Sequence, residues 1–181
     1  MTESTPARSE ANAPTSTARP MSRDLRYLRV LLRFLKRTRS HPPCTYLTVA
    51  ANKWMLNDPR RWIQRVDALM FFKQLLDANI EKIAIENPIG IVSSHISKPT
   101  QIIQPYEFGH DASKNTCLWL KNLPKLIGTK YIEPKIVNNK KRWANQTEKD
   151  GSNKLPPSDN RWKFRSKTYQ GIADAMANQW G

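Results

Sequence analysis

Between Arg61 and Ala78 the apolar residues Ile63, Val66, Leu69, Met70, Phe71, Phe72, Leu75 and Leu76 recur at helical spacing. That period predicts a helix. Asp58 is placed to cap it, Pro59 occupies its first turn, and Asn79 ends it. A short apolar run follows at Lys82-Ile83-Ala84-Ile85, the pattern of a strand buried in a parallel sheet. Thr116 to Leu120 reads as a second strand, ended by Asn122 to Pro124. A short helix is predicted from Thr168, its cap, to Trp180, with Ile172, Ala173, Ala175, Met176 and Trp180 able to face the body.

The remaining segments are less regular. Residues 1–21 are polar, contain proline and lack any period, so they read as a disordered lead. Residues 22–40 interleave arginine and lysine with leucine, valine and phenylalanine. Two readings stay open there, a basic amphipathic helix or a short strand at Val30 to Leu35 feeding the Pro42-Pro43 turn. Residues 129–167 are rich in Lys and Asn and broken by Pro156-Pro157, which predicts a basic loop. Residues 41–181 then form one α/β domain with flanking helices. In sheets of that kind ligands sit beyond the carboxyl ends of strands. Glu86 and Asn87 fall at one such end, and the Pro42-Pro43-Cys44 turn falls beside them if it follows the neighbouring strand.

Charge changes the picture most. The 181 residues carry a formal charge of +15, and a surface of that sign favours a polyanion, above all nucleic acid, with strong salt dependence. Lys53, Lys140, Lys141, Arg142, Lys163 and Arg165 are candidate DNA contacts, with Trp54, Trp143, Trp162 and Phe164 as stacking surfaces. No run of about twenty apolar residues occurs, so no membrane span is expected. The start lacks the charged and apolar regions of an export signal, which makes the cytoplasm the expected compartment. The two cysteines and three histidines are scattered, without the compact spacing of a metal site. Neither a G-x-S-x-G elbow nor a phosphate-binding glycine loop is present.

The chemistry narrows to a thiol and a carboxyl. A cysteine thiolate can attack an electron-poor ring carbon if its pKa is lowered or the transition state is stabilised. A buried glutamic acid can donate to a ring nitrogen and sharpen that electrophile, a role that requires a raised pKa. Cys44 and Glu86 supply this pair, with Asn87 placed to hold the carboxyl. Tyr46 and Trp54 lie close to the thiol in sequence, where they could stack on a base flipped from a duplex or simply cover the core.

Three segments carry a resemblance: SHPPCTYLTVAANKW (Ser40 to Trp54), IEKIAIENPIGIVSSHISKPTQIIQPYEFGHDASKNTCLWLKNLP (Ile80 to Pro124) and TYQGIADAMANQWG (Thr168 to Gly181). Together they resemble the phage and prophage DNA cytosine-5 methyltransferase-like proteins. The resemblance implies a class I methyltransferase (Rossmann-like) fold, S-adenosylmethionine as methyl donor and DNA as substrate. It implies that Cys44 is the nucleophile at cytosine C6 and that Glu86 acts at N3, with Asn87 beside it. Lys114 matches the basic residue that meets the catalytic loop or base, where arginine is more usual. Pro42, Gln170, Gly171 and Ala173 are the implied cofactor contacts. The chain departs from the family upstream of His41, where the Phe-x-Gly-x-Gly cofactor loop and the acidic residue for the ribose are missing. The expected fold is therefore a partial class I methyltransferase sheet, with a second subunit or a homodimer completing it. A catalytically inactive truncated methyltransferase and a basic DNA-binding protein are the alternatives.

Overall fold

The computed structural model describes residues 37–40, 42, 44–55, 58–147, 156, 158 and 168–181. The predicted disordered lead and the Val30 to Leu35 strand alternative lie outside them, as do Lys163, Arg165, Trp162 and Phe164. The described residues form a mixed α/β structure. Strand β1 (Arg37–Ser40) leads into two short helices, α1 (Cys44–Leu47) and α2 (Asn52–Met55). Helix α3 (Pro59–Leu76) and strand β2 (Lys82–Pro88) follow. Next come helix α4 (Val92–His95) and strands β3 (Gln101–Ile103) and β4 (Thr116–Lys121). The chain closes with β5 (Lys135–Val137), β6 (Lys140–Arg142), α5 (Ala144–Thr147) and α6 (Gln170–Trp180).

Four strands make one sheet in the order β1-β2-β4-β3. β1 runs parallel to β2, with Arg37 opposite Lys82 and Ser40 opposite Ile85. β4 is antiparallel to both of its neighbours, so the parallel reading of β2 holds on one side only. β1, α3 and β2 form a parallel pair joined through a helix. The chain then reaches the far edge at β3 and returns through β4 between β2 and β3. Of the basic segment 22–40, the four described residues are strand rather than helix.

α3 begins where the sequence predicts: Asp58 accepts the Arg60 amide at 3.0 Å, and Pro59 opens the helix. Its buried stripe is Arg65, Ala68, Phe72 and Leu75. The apolar residues Ile63, Val66 and Met70 face outward and are 65%, 51% and 55% exposed. The inward stripe packs on Ile83, Ile85, Cys117 and Trp119 of the sheet, with Phe72 meeting the Trp119 ring edge-on at 4.9 Å. The other face carries Ala84, Leu118 and Ile103 against Ile172, Ala175, Met176 and Trp180 of α6. The sheet is thus a central layer between α3 and α6.

Three expectations change. β2 continues through Pro88 because Glu86, Asn87 and Pro88 pair with Leu118, Cys117 and Thr116, so Glu86 and Asn87 lie inside the strand rather than beyond it. α6 starts at Gln170 and is not capped by Thr168; the side chain of Tyr169 at its cap position makes no capping bond. His110 Nε2 instead accepts the Gly171 amide at 2.9 Å. Within the predicted basic loop, β5 and β6 form a hairpin, because Asn138 and Asn139 take left-handed φ values of 51° and 60°. Asparagine is one of the few residues that tolerates this. Among the described residues no helix is long and apolar enough to cross a membrane.

Candidate active site

Cys44 opens α1 and is half-buried. Contacts from three segments fix the chain around it. The Asn87 side-chain amide, itself 1% exposed, donates to the Pro42 carbonyl at 3.2 Å. Arg65, buried in α3, donates through Nε to the Tyr46 carbonyl at 2.9 Å and through its terminal nitrogen to Asn52 Oδ1 at 2.8 Å. Gly90 lies so close to Leu47 that a Cβ there would stand 1.8 Å from the Leu47 carbonyl oxygen. The Ile91 amide donates to that same oxygen at 2.9 Å. The thiol is therefore presented by a turn held from β2, from α3 and from the segment after β2.

Glu86 and Asn87 alternate across the pleat. Asn87 points to the α3 side, where its Oδ1 is buried without a hydrogen-bond partner among the described residues. Its amide ties down Pro42 and does not hold the Glu86 carboxyl, as the sequence reading expected. Glu86 points to the α6 side. There it lines a recess of about 20 Å³ with Lys114, Thr116, Tyr169, Ile172 and Met176, room for about one water. Lys114 is steadied through its backbone, whose N–H donates to Gln104 Oε1 at 3.0 Å. The preceding residue is clasped as well: Ser113 N–H donates to Asn145 Oδ1, and Asn145 Nδ2 donates back to the Ser113 carbonyl, both at 3.0 Å.

The charges of Glu86 and Lys114 act on the Cys44 thiol in opposite directions. Burial pushes the Cys44 thiol above its ordinary value, the Glu86 carboxylate pushes it further, and the Lys114 ammonium and a backbone hydrogen bond pull it back. Cys117 is raised too, chiefly by burial and then by Glu86. A thiol so placed rests protonated. Burial is the larger of the two causes that raise it, and the Glu86 charge adds to it.

The implied cofactor contacts serve other ends. Pro42 is buried and its carbonyl is taken by Asn87. Gln170 is exposed and donates to Asp174 within α6. Gly171 is small because a Cβ would stand 2.0 Å from the Phe108 carbonyl oxygen, and half-buried Ala173 lies on the same helix. Neither these residues nor the water-sized recess fits S-adenosylmethionine. The chain has no glycine before Gly90, and the close backbone approaches at Gly90 and Gly171 are to the Leu47 and Phe108 carbonyls of the chain itself. Among them, no three His, Cys, Asp or Glu side chains converge as metal ligands would.

Of the candidate DNA contacts, Lys53 is exposed on α2, Trp54 belongs to the same short helix, and Lys140, Lys141 and Arg142 form β6. Sequence reasoning missed Arg65, Gly90, His110 and Asn145. Arg65 had a signal, since it shares the phase of Ala68, Phe72 and Leu75 and is the one cation on that stripe. No family model, curated protein or solved structure matches the chain, so what this site can do rests on its own geometry.

Proposed function

We propose that the chain is the catalytic half of a DNA cytosine-5 methyltransferase-like protein, with Cys44 as nucleophile and Glu86 as the acid at the base. The carrying observation is one of placement: Asn87 in β2 donates to the Pro42 carbonyl just before Cys44, while its neighbour Glu86 lines one recess with Lys114, and the charges of Glu86 and Lys114 act on the Cys44 thiol. A parallel strand–helix–strand unit, with the Cys44 turn after β1 and Glu86 in the C-terminal half of β2, suits the distal part of a Rossmann-like sheet. An antiparallel strand toward the edge is common in such sheets.

On this reading a flipped cytosine enters beside Cys44. The thiol proton passes to Glu86, which removes the negative charge that holds the thiol protonated, while Lys114 favours the thiolate. Sulfur then bonds to C6 as the C5=C6 π pair moves into the ring, and Glu86 delivers its proton to N3. The net result is addition of S–H across C6 and N3, with charge balanced. Methyl transfer to C5 belongs to residues outside those described or to a second polypeptide. Such a partner has two surfaces to meet: the edge of β1, which among the described strands pairs only with β2, and the outward apolar stripe of α3 with Trp62, Ile63, Val66 and Met70. A cytoplasmic setting would keep both free cysteines reduced.

The test is covalent trapping. A duplex carrying 2-pyrimidinone in place of cytosine presents an electrophilic C6 that needs no methyl donor for thiol addition. The full chain is expected to give a protein–DNA adduct by intact mass, which is lost in Cys44→Ala and kept in Cys117→Ala. An adduct surviving Cys44→Ala, or none from the wild-type chain, would overturn the assignment.

A further inference from the structure

β5 and β6 form a two-stranded antiparallel ribbon that joins no other described strand. Lys135 lies opposite Arg142, Ile136 opposite Lys141, and Val137 opposite Lys140. Four of these six residues are cations, and no acidic residue occurs from Lys135 to Thr147. Every residue from Lys135 to Lys141 is exposed, Ile136 at 64%. The paired left-handed residues Asn138 and Asn139 give the tip a two-residue turn whose twist matches that of the strands.

A bare two-stranded hairpin is marginal in water, but this one is rooted. Trp143, directly after β6, stacks on Tyr106 with ring centroids 4.3 Å apart and planes at 10°. The Ala144 amide donates to Asp111 Oδ1 at 2.8 Å. Asn145, 7% exposed, clasps both backbone groups of Ser113. Ser113 adjoins Lys114, so the root of the ribbon is also the support of the recess beside Glu86.

We propose that the ribbon enters the major groove of duplex DNA, with its stem cations on the flanking phosphates and the Asn138 and Asn139 amides on base edges. It thereby selects which cytosine reaches Cys44. That last step rests on the methyltransferase-like reading; the DNA contact does not. Strands about 4.8 Å apart make a ribbon that a major groove roughly 12 Å wide admits. The deep, narrow major groove of A-form RNA excludes it. An asparagine amide offers the donor and acceptor pair that matches an adenine edge.

The experiment uses the full chain, a randomised duplex DNA pool with sequencing of the bound fraction, and fluorescence anisotropy across a salt series. Lys140→Ala, Lys141→Ala and Arg142→Ala together are expected to weaken binding by about tenfold or more and to lower the salt slope by roughly three. Asn138→Gly with Asn139→Gly keeps the left-handed turn, because glycine accepts positive φ, and removes only the amides. That variant is expected to hold affinity for random duplex within about twofold while losing the motif that the wild-type chain enriches. Enrichment of the same motif by the glycine variant would overturn the proposal. So would unchanged binding by the triple variant, no duplex binding by the wild-type chain, or equal binding to duplex RNA. Motif enrichment without 2-pyrimidinone trapping would leave the ribbon standing while the methyltransferase reading falls, and trapping without enrichment would do the reverse.

Discussion

Glu86 and Asn87 are neighbours in β2, yet they serve opposite faces of the sheet. On the α3 face Asn87 is 1% exposed, and it spends its amide on the Pro42 backbone. On the α6 face Glu86 borders a water-sized recess beside Lys114 and raises the Cys44 thiol through its charge. One face holds the Cys44 turn, and the other adds its charge to the burial that raises the thiol. Substitutions on the two faces should therefore separate cleanly, with folding and turn position lost on one side and thiol chemistry altered on the other.

The hardest blow to the holding side is Gly90→Ala. The new methyl would meet backbone, the Leu47 carbonyl at 1.8 Å, rather than a side chain that can swing away. Destabilisation of about 3 kcal/mol or more is expected, which for a chain of this size lowers the melting temperature by roughly 10 °C. Thermal unfolding followed by circular dichroism checks it, and a melting temperature within about 2 °C of wild type would remove Gly90 as a lock on the turn. Next comes Arg65→Ala, which strips the donors from the Tyr46 carbonyl and Asn52 and is expected to cost about 3 kcal/mol. Arg65→Lys should recover only part of that, since one ammonium cannot reproduce the two-pronged contact. Both variants should speed alkylation of Cys44 as the turn loosens. An unchanged rate would mean that the turn is held without Arg65.

These two residues also mark where the sequence stops being legible. α3, β2, β4 and α6 were readable because each repeats a local period over several residues. The outward face of α3 was not: Ile63, Val66 and Met70 are the apolar choices, yet Arg65 takes the inward phase because the Tyr46 carbonyl, 19 positions away, needs a donor. Such a demand is non-local and leaves no period behind. β3 spans three residues with a single buried side chain, Ile103, too short to alternate visibly. The β5–β6 hairpin hid because its turn is Asn-Asn rather than Asn-Gly and its strands are mostly charged. Strand-end logic set Glu86 beyond β2, but its pairing with Leu118 keeps it within the strand; Lys114 was named only by resemblance.

The smallest effects on stability, and the sharpest on chemistry, belong to the Glu86 face. Glu86→Gln removes one of the two causes that raise the Cys44 thiol and leaves burial, the larger, in place. The thiol pKa should fall part of the way, and iodoacetamide labelling at neutral pH should quicken by roughly threefold. Lys114→Met removes a cause that lowers it and should slow labelling by a similar factor, about threefold. In each protein the rate climbs with pH and levels off only above the ordinary thiol range, with the plateau reached earliest in Glu86→Gln. The linkage has a definite sign: because folding raises both thiols, the stability they contribute is full below the unfolded thiol pKa and is lost as the pH rises through the folded one. Glu86→Gln should soften that alkaline loss. The same substitution should abolish the 2-pyrimidinone adduct, because a faster thiol is of no use to a ring that receives no proton at N3. If Glu86→Gln quickened labelling and adduct formation together, Glu86 would be only a negative neighbour of Cys44, and the two faces of β2 would not divide holding from chemistry.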